Sequence, residues 1–534
     1  MPNPLGIDRT RKTLAELEAP LSRAFAGART RDIDEQQVAV ARLADVATKL
    51  RAAQELAAFA ESAGDPYREQ AAVFAGAVAS EIARLVRDHG AEHGLSAADL
   101  PSEETQAFAR EALAEGRVRA IGRAVAAQRG RNDCPLDETL VVTRDAARSF
   151  AESEVMPHAE RIHRGDELVP EAFIRKMAEL GYFGLSIPEK YGGVEMGNVA
   201  MVITTEELSR ASLAAAGSLI TRPEILAKAL LAGGTEEQKS HWLPKIAAGE
   251  LMVGISVTEP DVGSDVAGVK CRAEQATQNG VAGWTITGPK AWCTFAGRAD
   301  VLAVLCRTDP DPAKGARGLT LFIVPKTRAL GHEFECVQPG GGRLVGKADA
   351  TPGYRGMHSF TLSFERYFVP AENVVGGKAG VGKGFSLQMG GFAAGRLQTG
   401  GRACGLAQAA LEKTAEYVVD RLQFGKPLID YQLTQYKLGW MATQLAAARA
   451  ITYSAAAAMD EDERAAAPYA SQAKLLACRV AVAVTQEGQL LHGGWGYAEE
   501  YPISRYVVDA LVLPIFEGVE PILQLKVIGR ALLS

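Results

Sequence analysis

Cysteine is sparse and unpatterned in this chain. The seven cysteines (Cys134, Cys271, Cys293, Cys306, Cys336, Cys404 and Cys478) are scattered, odd in number and form no CxxC pair. Neither a disulfide framework nor a cysteine zinc site is expected, and a reducing, cytoplasmic setting follows. No window reaches the ~18 uninterrupted apolar residues of a membrane span. The opening run Met1-Pro-Asn-Pro-Leu-Gly-Ile-Asp-Arg-Thr lacks the apolar core of a secretory signal. Positive charge is not in excess. The 58 Lys and Arg stand against 64 Asp and Glu, a net charge of -6, which argues against nucleic acid as the primary partner. No internal repeat period is visible.

What is present is ordinary for a folded protein: 534 residues, 47% hydrophobic and 23% charged. Disorder over most of the length is excluded, and at roughly 150 residues per domain the chain has room for three or four domains. Glycine is the outlier, 54 residues or about one in ten, against ~7% in average proteins. The glycines crowd into the second half, where backbone is expected to approach a ligand.

Four regions differ in texture. Residues 1–135 are rich in alanine and charge and predict a helical extension. Asp32 with Glu35 resembles a capping box, and Leu43, Val46, Leu50, Ala53 and Ala57 hold helical spacing. Asp65-Pro66 opens a second helix. No catalytic motif stands here, and a docking or stabilising role is expected. Residues 136–250 are again helical, with Phe173–Leu180 and Ile220–Leu231 as core helices. Residues 251–375 carry strand-like runs at Leu251–Val257, Trp284–Thr287, Val301–Cys306, Leu319–Val324 and Ser359–Phe364, separated by Gly, Asp and Pro turns. From 376 to 534 long helical periods return (Leu406–Val419, Tyr431–Tyr453, Pro468–Leu491, Pro521–Leu533), suggesting an antiparallel bundle.

The sharpest motif is Ser256-Val-Thr-Glu-Pro-Asp-Val-Gly-Ser-Asp265. A strand ends there, and the turn offers hydroxyls and backbone N–H groups. It fits a polar cofactor edge or a plain hairpin loop. Gly288-Pro-Lys-Ala-Trp-Cys-Thr294 follows. An indole can lie along a flat heteroaromatic ring while a hydroxyl bonds its edge.

These runs, with Arg421-Leu-Gln-Phe-Gly-Lys-Pro-Leu428, His492-Gly-Gly-Trp-Gly-Tyr497 and Phe516-Glu-Gly518, form an ordered set over about 400 residues that resembles the acyl-CoA dehydrogenase family. The resemblance implies a mostly α fold with a central β domain: a helical domain, a β-barrel-like domain and a C-terminal four-helix bundle, here behind the extra N-terminal helices. It implies FAD as cofactor. Val257, Thr258, Gly263, Ser264 and Thr294 would meet the flavin, with Trp292 beside the ring. Arg421, Phe424, Gln432 and the Gly493-Gly494 turn would serve the adenosine-diphosphate half in a neighbouring subunit, making a dimer or tetramer part of function. An arginine fork suits a pyrophosphate, and glycine permits its close approach. Two departures stand out. Leu490 occupies the place of the family's glutamine, with Gln489 one residue away, and Val519 replaces a threonine.

Desaturating a thioester removes an α proton and a β hydride, so a positioned base is required. The resemblance assigns it to Glu517, with Gly518 and Ser264 on the substrate. Some relatives place the base on an earlier helix, but here Gly395 holds that position. Arg396 beside it reads equally as an active-site residue or a helix-surface ion pair. In the acyl wall, Arg222 suits a substrate carboxylate. Pairing with Glu224 or Glu206 is the alternative. Tyr354, Arg355 and His358 lie in a Gly-rich insertion near the same wall, although His358 also reads as an ordinary surface histidine. The expected substrate is a short branched dicarboxylic acyl-CoA of the methylsuccinyl type. Electron-transferring flavoprotein is the expected acceptor. An uncharged short- or branched-chain acyl-CoA, an oxidase, a flavin monooxygenase and a non-catalytic CoA-binding scaffold are the competing readings.

Overall fold

A computed structural model describes residues 5–131 and 134–534. The chain divides into two compact units, residues 1–145 with 399–534, and residues 146–398. Helix Gly384–Asp420 contributes to both. Among the described residues no helix is long and apolar enough to cross a membrane.

The unit of residues 146–398 places helices beside an eight-stranded sheet. Its strands are β1 (Val253–Ser256), β2 (Arg272–Gln278), β3 (Val281–Thr294), β4 (Val301–Arg307), β5 (Leu319–Pro325), β6 (Glu333–Val337), β7 (Arg343–Ala348) and β8 (Ser359–Pro370). They run in the order β1-β4-β2-β3-β8-β7-β6, with β5 added on β4. β1 pairs β4 in parallel, and β2–β3, β3–β8, β4–β5, β6–β7 and β7–β8 are antiparallel. The continuous apolar run of β4 has a direct cause. Val301, Ala303 and Leu305 pack with helical residues Leu226, Leu230, Leu243 and Ile246 on one face. Leu302, Val304 and Cys306 pack with Trp284, Phe322 and Phe360 on the other. A strand buried on both faces loses the polar alternation.

All five expected strands form. Three more, β2, β6 and β7, were not expected. Their sequences are polar and half exposed, and pairing with neighbours makes them strands. A local signal did exist for β2. Asn279 (φ 52°) and Gly280 (φ 78°) join it to β3, the two left-handed residues of a type I′ hairpin turn.

The other unit combines the N-terminal extension with the C-terminal helices. Asp32 caps only the short 3₁₀ turn Ile33–Glu35, accepting from the Asp34 N–H at 2.7 Å, and the long helix begins later, at Gln37. Asp65 is already the first residue of its helix, after Gly64. Helix Gln432–Glu461 crosses the extension helix Glu115–Ala127 through two glycines. A Cβ on Gly122 would stand 1.8 Å from the Gln435 carbonyl oxygen, and one on Gly439 would stand 2.0 Å from that of Val118. Only glycine on both sides permits this approach. Polar links reinforce it: Arg119 and Arg123 both donate to Gln435 Oε1 at 3.1 Å. Asp45 pairs with Arg479 at 2.9 Å, and Arg479 also pairs with Glu520. The last expected helix, 521–533, is a π-helical stretch, Leu523–Gly529, between two short helical turns.

The glycine crossing is testable. Gly439→Ala forces backbone apart and should cost about 1–3 kcal/mol, as overpacking does. Gly116→Ala, whose Cβ would meet open space on an exposed helix face, should be neutral or stabilising. Thermal unfolding of both variants beside the parent checks the pair.

Candidate active site

In the sheet unit the Thr258 turn is held from beneath by a buried lysine. Lys290 is fully buried. Its ammonium donates to the Val257 carbonyl at 2.9 Å, the Leu305 carbonyl at 2.7 Å and Glu259 Oε1 at 3.0 Å. Three donors meet three acceptors. Glu259 is filled in turn, taking the N–H groups of Cys271 and Lys270 at 2.8 Å each. The Ala291 N–H reaches the Thr258 carbonyl at 2.8 Å. Val257 and Thr258 are thereby fixed against β3, beside Trp292 and Thr294.

β3 pairs β8 with a register shift between Lys290 and Cys293. Trp292 sits in this irregularity with φ 57° and is 59% exposed. Bulges re-aim a side chain in this way, and here the result is an unburied indole. Thr294 is nearly buried and its hydroxyl lies 3.0 Å from that of Ser359. Gly263 and Ser264 are exposed on the turn, and a Cβ on Gly263 would meet nothing within 4 Å.

The residues expected at the acyl wall lie in the same unit. Arg222, in helix Thr221–Gly233, is 5% exposed. Its Nη1 donates to the Ser218 carbonyl at 3.3 Å and to the Tyr354 hydroxyl at 3.1 Å. Among the described residues it pairs with no carboxylate. Pairing with Glu224 or Glu206 is therefore not what the fold adopts, and Glu224 instead takes the hydroxyl of Ser186. Tyr354, from the Gly-rich insertion, meets Arg222 through its hydroxyl. Nearby His358 is buried, not a surface histidine. Arg396 is half-buried on helix Gly384–Asp420, and Gly395 beside it is buried.

The remaining predicted residues belong to the other unit. The Arg421–Leu428 motif is a hairpin: Leu422–Gln423 pairs with Lys426–Pro427. Its tip, Phe424 (φ 52°) and Gly425 (φ 82°), has the two left-handed residues of a type I′ turn. Phe424 is 94% exposed, and Arg421 and Gln432 are exposed as well. His492 is buried and stacks on Tyr417 at 4.3 Å. The Arg421 N–H bonds the Tyr417 carbonyl at 2.8 Å, which brings the Gly493-Gly494 turn to the helix end carrying Arg421. Burial holds the His492 imidazole below its ordinary pKa, which keeps it a neutral packing surface. Methyl groups on Gly493 or Gly494 would meet nothing within 4 Å. Gln489 does not stand in for the missing glutamine, because its amide donates to the Gly496 carbonyl at 3.1 Å.

Glu517 and Gly518 are half-buried in a loop with left-handed backbone at both (φ 55° and 101°). Glu517 Oε2 is shielded from solvent. Two buried cations, both missed in the sequence, hold the loop: Lys474 donates to the Gly518 carbonyl at 2.6 Å, and the Arg402 guanidinium lies 4.7 Å from the Phe516 ring centre. Both sit inside apolar helical runs, where a lone cation was the available signal.

This donor set fits FAD. An unburied indole and a hydroxyl flank a fixed polar turn in one unit. In the other, an exposed arginine stands near an unfilled glycine turn, and an exposed ring tips the hairpin that follows that arginine. The fold and these sites define an FAD-dependent acyl-CoA dehydrogenase. The chain matches the N-terminal, middle and C-terminal domains of acyl-CoA dehydrogenase over residues 137–250, 254–367 and 382–533, and it belongs to that family. Among its relatives is the (2S)-methylsuccinyl-CoA dehydrogenase of Cereibacter sphaeroides, 41% identical over 399 residues, 75% of this chain and 70% of that one. Butyryl-CoA dehydrogenase from Megasphaera elsdenii superposes with a TM-score of 0.68 at 31% identity, over 76% of this chain and 100% of that one. A glutaryl-CoA dehydrogenase in complex with glutaryl-CoA gives 0.67 at 31%, over 74% and 95%.

Lys290→Met should leave Glu259 buried and unpaired, a loss of about 3–5 kcal/mol. The purified variant is expected to unfold earlier and carry less flavin. Lys290→Met with Glu259→Leu should recover part of the stability but not the flavin, because the turn loses its anchor. Thermal unfolding and the flavin-to-protein absorbance ratio report the two effects separately.

Proposed function

We propose that this enzyme oxidises a short branched dicarboxylic acyl-CoA, (2S)-methylsuccinyl-CoA, to mesaconyl-CoA in the ethylmalonyl-CoA pathway. The observation that carries the reading is Arg222, a buried cation whose partners are a backbone carbonyl and a tyrosine hydroxyl, both uncharged. A buried guanidinium without a counter-charge is costly, and a substrate carboxylate would supply that charge bidentately. The Cereibacter relative bears the name of this activity.

In this proposal Glu517 removes the α proton, and its backbone N–H receives the developing enolate oxygen, an oxyanion-hole arrangement. Ser264, Gly518 and Arg396 line the substrate path. FAD, when bound, supplies the acceptor for the β hydride. Val257, Thr258, Gly263, Ser264, Trp292 and Thr294 hold its flavin side. Arg421, Phe424, Gln432, Gly493 and Gly494 hold the nucleotide side in a neighbouring subunit, which the exposure of Phe424 and Arg421 favours. The working form is then a homo-oligomer, with electron-transferring flavoprotein taking the electrons onward in the cytoplasm.

Glu517→Gln should keep FAD and acyl-CoA binding yet lower the rate of flavin bleaching by about 10²–10⁴, the usual weight of a general base. Near-normal bleaching would remove Glu517 from the role. For the substrate, a carboxylate paired with Arg222 in a water-poor pocket should contribute about 2–5 kcal/mol to selectivity, or roughly 30- to several-thousand-fold. Arg222→Met should therefore lose kcat/KM on methylsuccinyl-CoA far more than on isobutyryl-CoA, and equal losses would leave the uncharged acyl groups as the better reading. Tyr354→Phe is expected to shift the same ratio in the same direction, by a smaller factor.

A further inference from the structure

Three side chains from separate segments converge in the unit of residues 146–398, and the dehydrogenation uses none of them. Asp166 follows helix Met156–Arg164, His332 precedes β6, and His358 precedes β8. One ligating atom of each lies within 4.8 Å of the others. His358 is 6% exposed, with Nε2 3.1 Å from Asp166 Oδ1 and Nδ1 3.2 Å from the Gly356 carbonyl oxygen. The rings of His332 and His358 stand 4.5 Å apart, centre to centre. Both histidines are pinned through their backbones: the Ala348 N–H bonds the His332 carbonyl at 2.7 Å, and the Phe295 N–H bonds that of His358 at 2.8 Å.

We propose that Asp166, His332 and His358 form a binding site for a divalent transition-metal cation, with Zn²⁺ the ion the donors suit. Two imidazoles and a carboxylate are ligands that Zn²⁺ takes at about 2.0–2.2 Å in tetrahedral geometry. Such bond lengths put neighbouring donors roughly 3.3 Å apart, close to the Nε2–Oδ1 separation. His332 is exposed, so its ring can rotate inward to close the third edge. The Gly356 carbonyl supplies the outer contact that fixes a ligating imidazole. Only Nδ1 can donate to that carbonyl, so in the neutral imidazole Nε2 carries the lone pair, and it faces the carboxylate. A cation seated between them satisfies both.

Arg355 is the competing positive charge. Its Nε lies 3.7 Å from Asp166 Oδ1, but the same guanidinium donates to the Thr351 carbonyl at 3.1 Å and the His163 carbonyl at 3.4 Å. It is anchored on backbone and leaves the carboxylate a place for an ion. A bound ion would staple the segment that carries Tyr354 to the chain after helix Met156–Arg164. The fourth coordination position falls to water.

The full-length FAD-loaded enzyme, stripped with a chelator and desalted, is titrated with Zn²⁺ alone by calorimetry, and its metal content is measured after gel filtration. One Zn²⁺ per chain is expected. His332→Gln, at an exposed ring, should weaken binding at least ~10-fold without changing the fold, and His358→Gln should abolish it. His241→Gln, at an exposed histidine elsewhere, should leave the affinity unchanged. Zn²⁺ should also raise the unfolding temperature of the parent and not of His332→Gln, as a ligand of the folded state must. If the parent retains no more Zn²⁺ than His332→Gln, the cluster is a plain His358–Asp166 ion pair and the proposal fails.

Discussion

The buried contact between Lys290 and Glu259 is the constraint on which the sheet unit depends. An ammonium and a carboxylate withdrawn from water are tolerable only when every donor and acceptor is filled, and here they are. The lysine spends its three protons on β1's exit, on β4 and on Glu259, while Glu259 binds the backbone leading into β2. Four segments distant in sequence are locked in one register. The polar turn that follows β1 is rigid because its floor is charged.

A similar logic holds at the loop carrying Glu517. Its backbone is left-handed at two successive residues, a conformation that an isolated chain would abandon. Buried Lys474 and Arg402 hold it through a carbonyl and a ring. In both units, cations inside apolar surroundings define backbone geometry beside the residues assigned to chemistry. Arg222 is the exception, a buried cation bonded to a backbone carbonyl and a hydroxyl. Among the described residues it pairs with no carboxylate, and its hydroxyl partner, Tyr354, comes from a loop more than a hundred residues away.

The N-terminal extension lies outside the three matched family domains, which begin at residue 137. Its helices are joined to the C-terminal helices by the Gly122–Gly439 crossing and the Asp45–Arg479–Glu520 chain of charges. The second of these ends three residues from Glu517. That chain of charges ties an extension helix to the segment that follows the proposed base.

Local sequence alone determined the amphipathic helices, the apolar strands β1, β4 and β5, and the family motifs. These are set by periodicity, by turn residues and by residue types that few other structures need. The Asn279-Gly280 turn belongs here too, since left-handed backbone favours asparagine and glycine, whereas Phe424 holds a left-handed conformation that its own side chain disfavours. Tertiary structure decided the rest. β2, β6 and β7 are polar and become strands only by pairing. Lys290, Lys474 and Arg402 look like solvated cations until burial gives each its partners. Whether Arg222 met Glu224, Glu206 or neither depended on side-chain directions that spacing does not encode. The convergence of Asp166, His332 and His358 required three loops to close on one point, and loop closure is written in no local pattern.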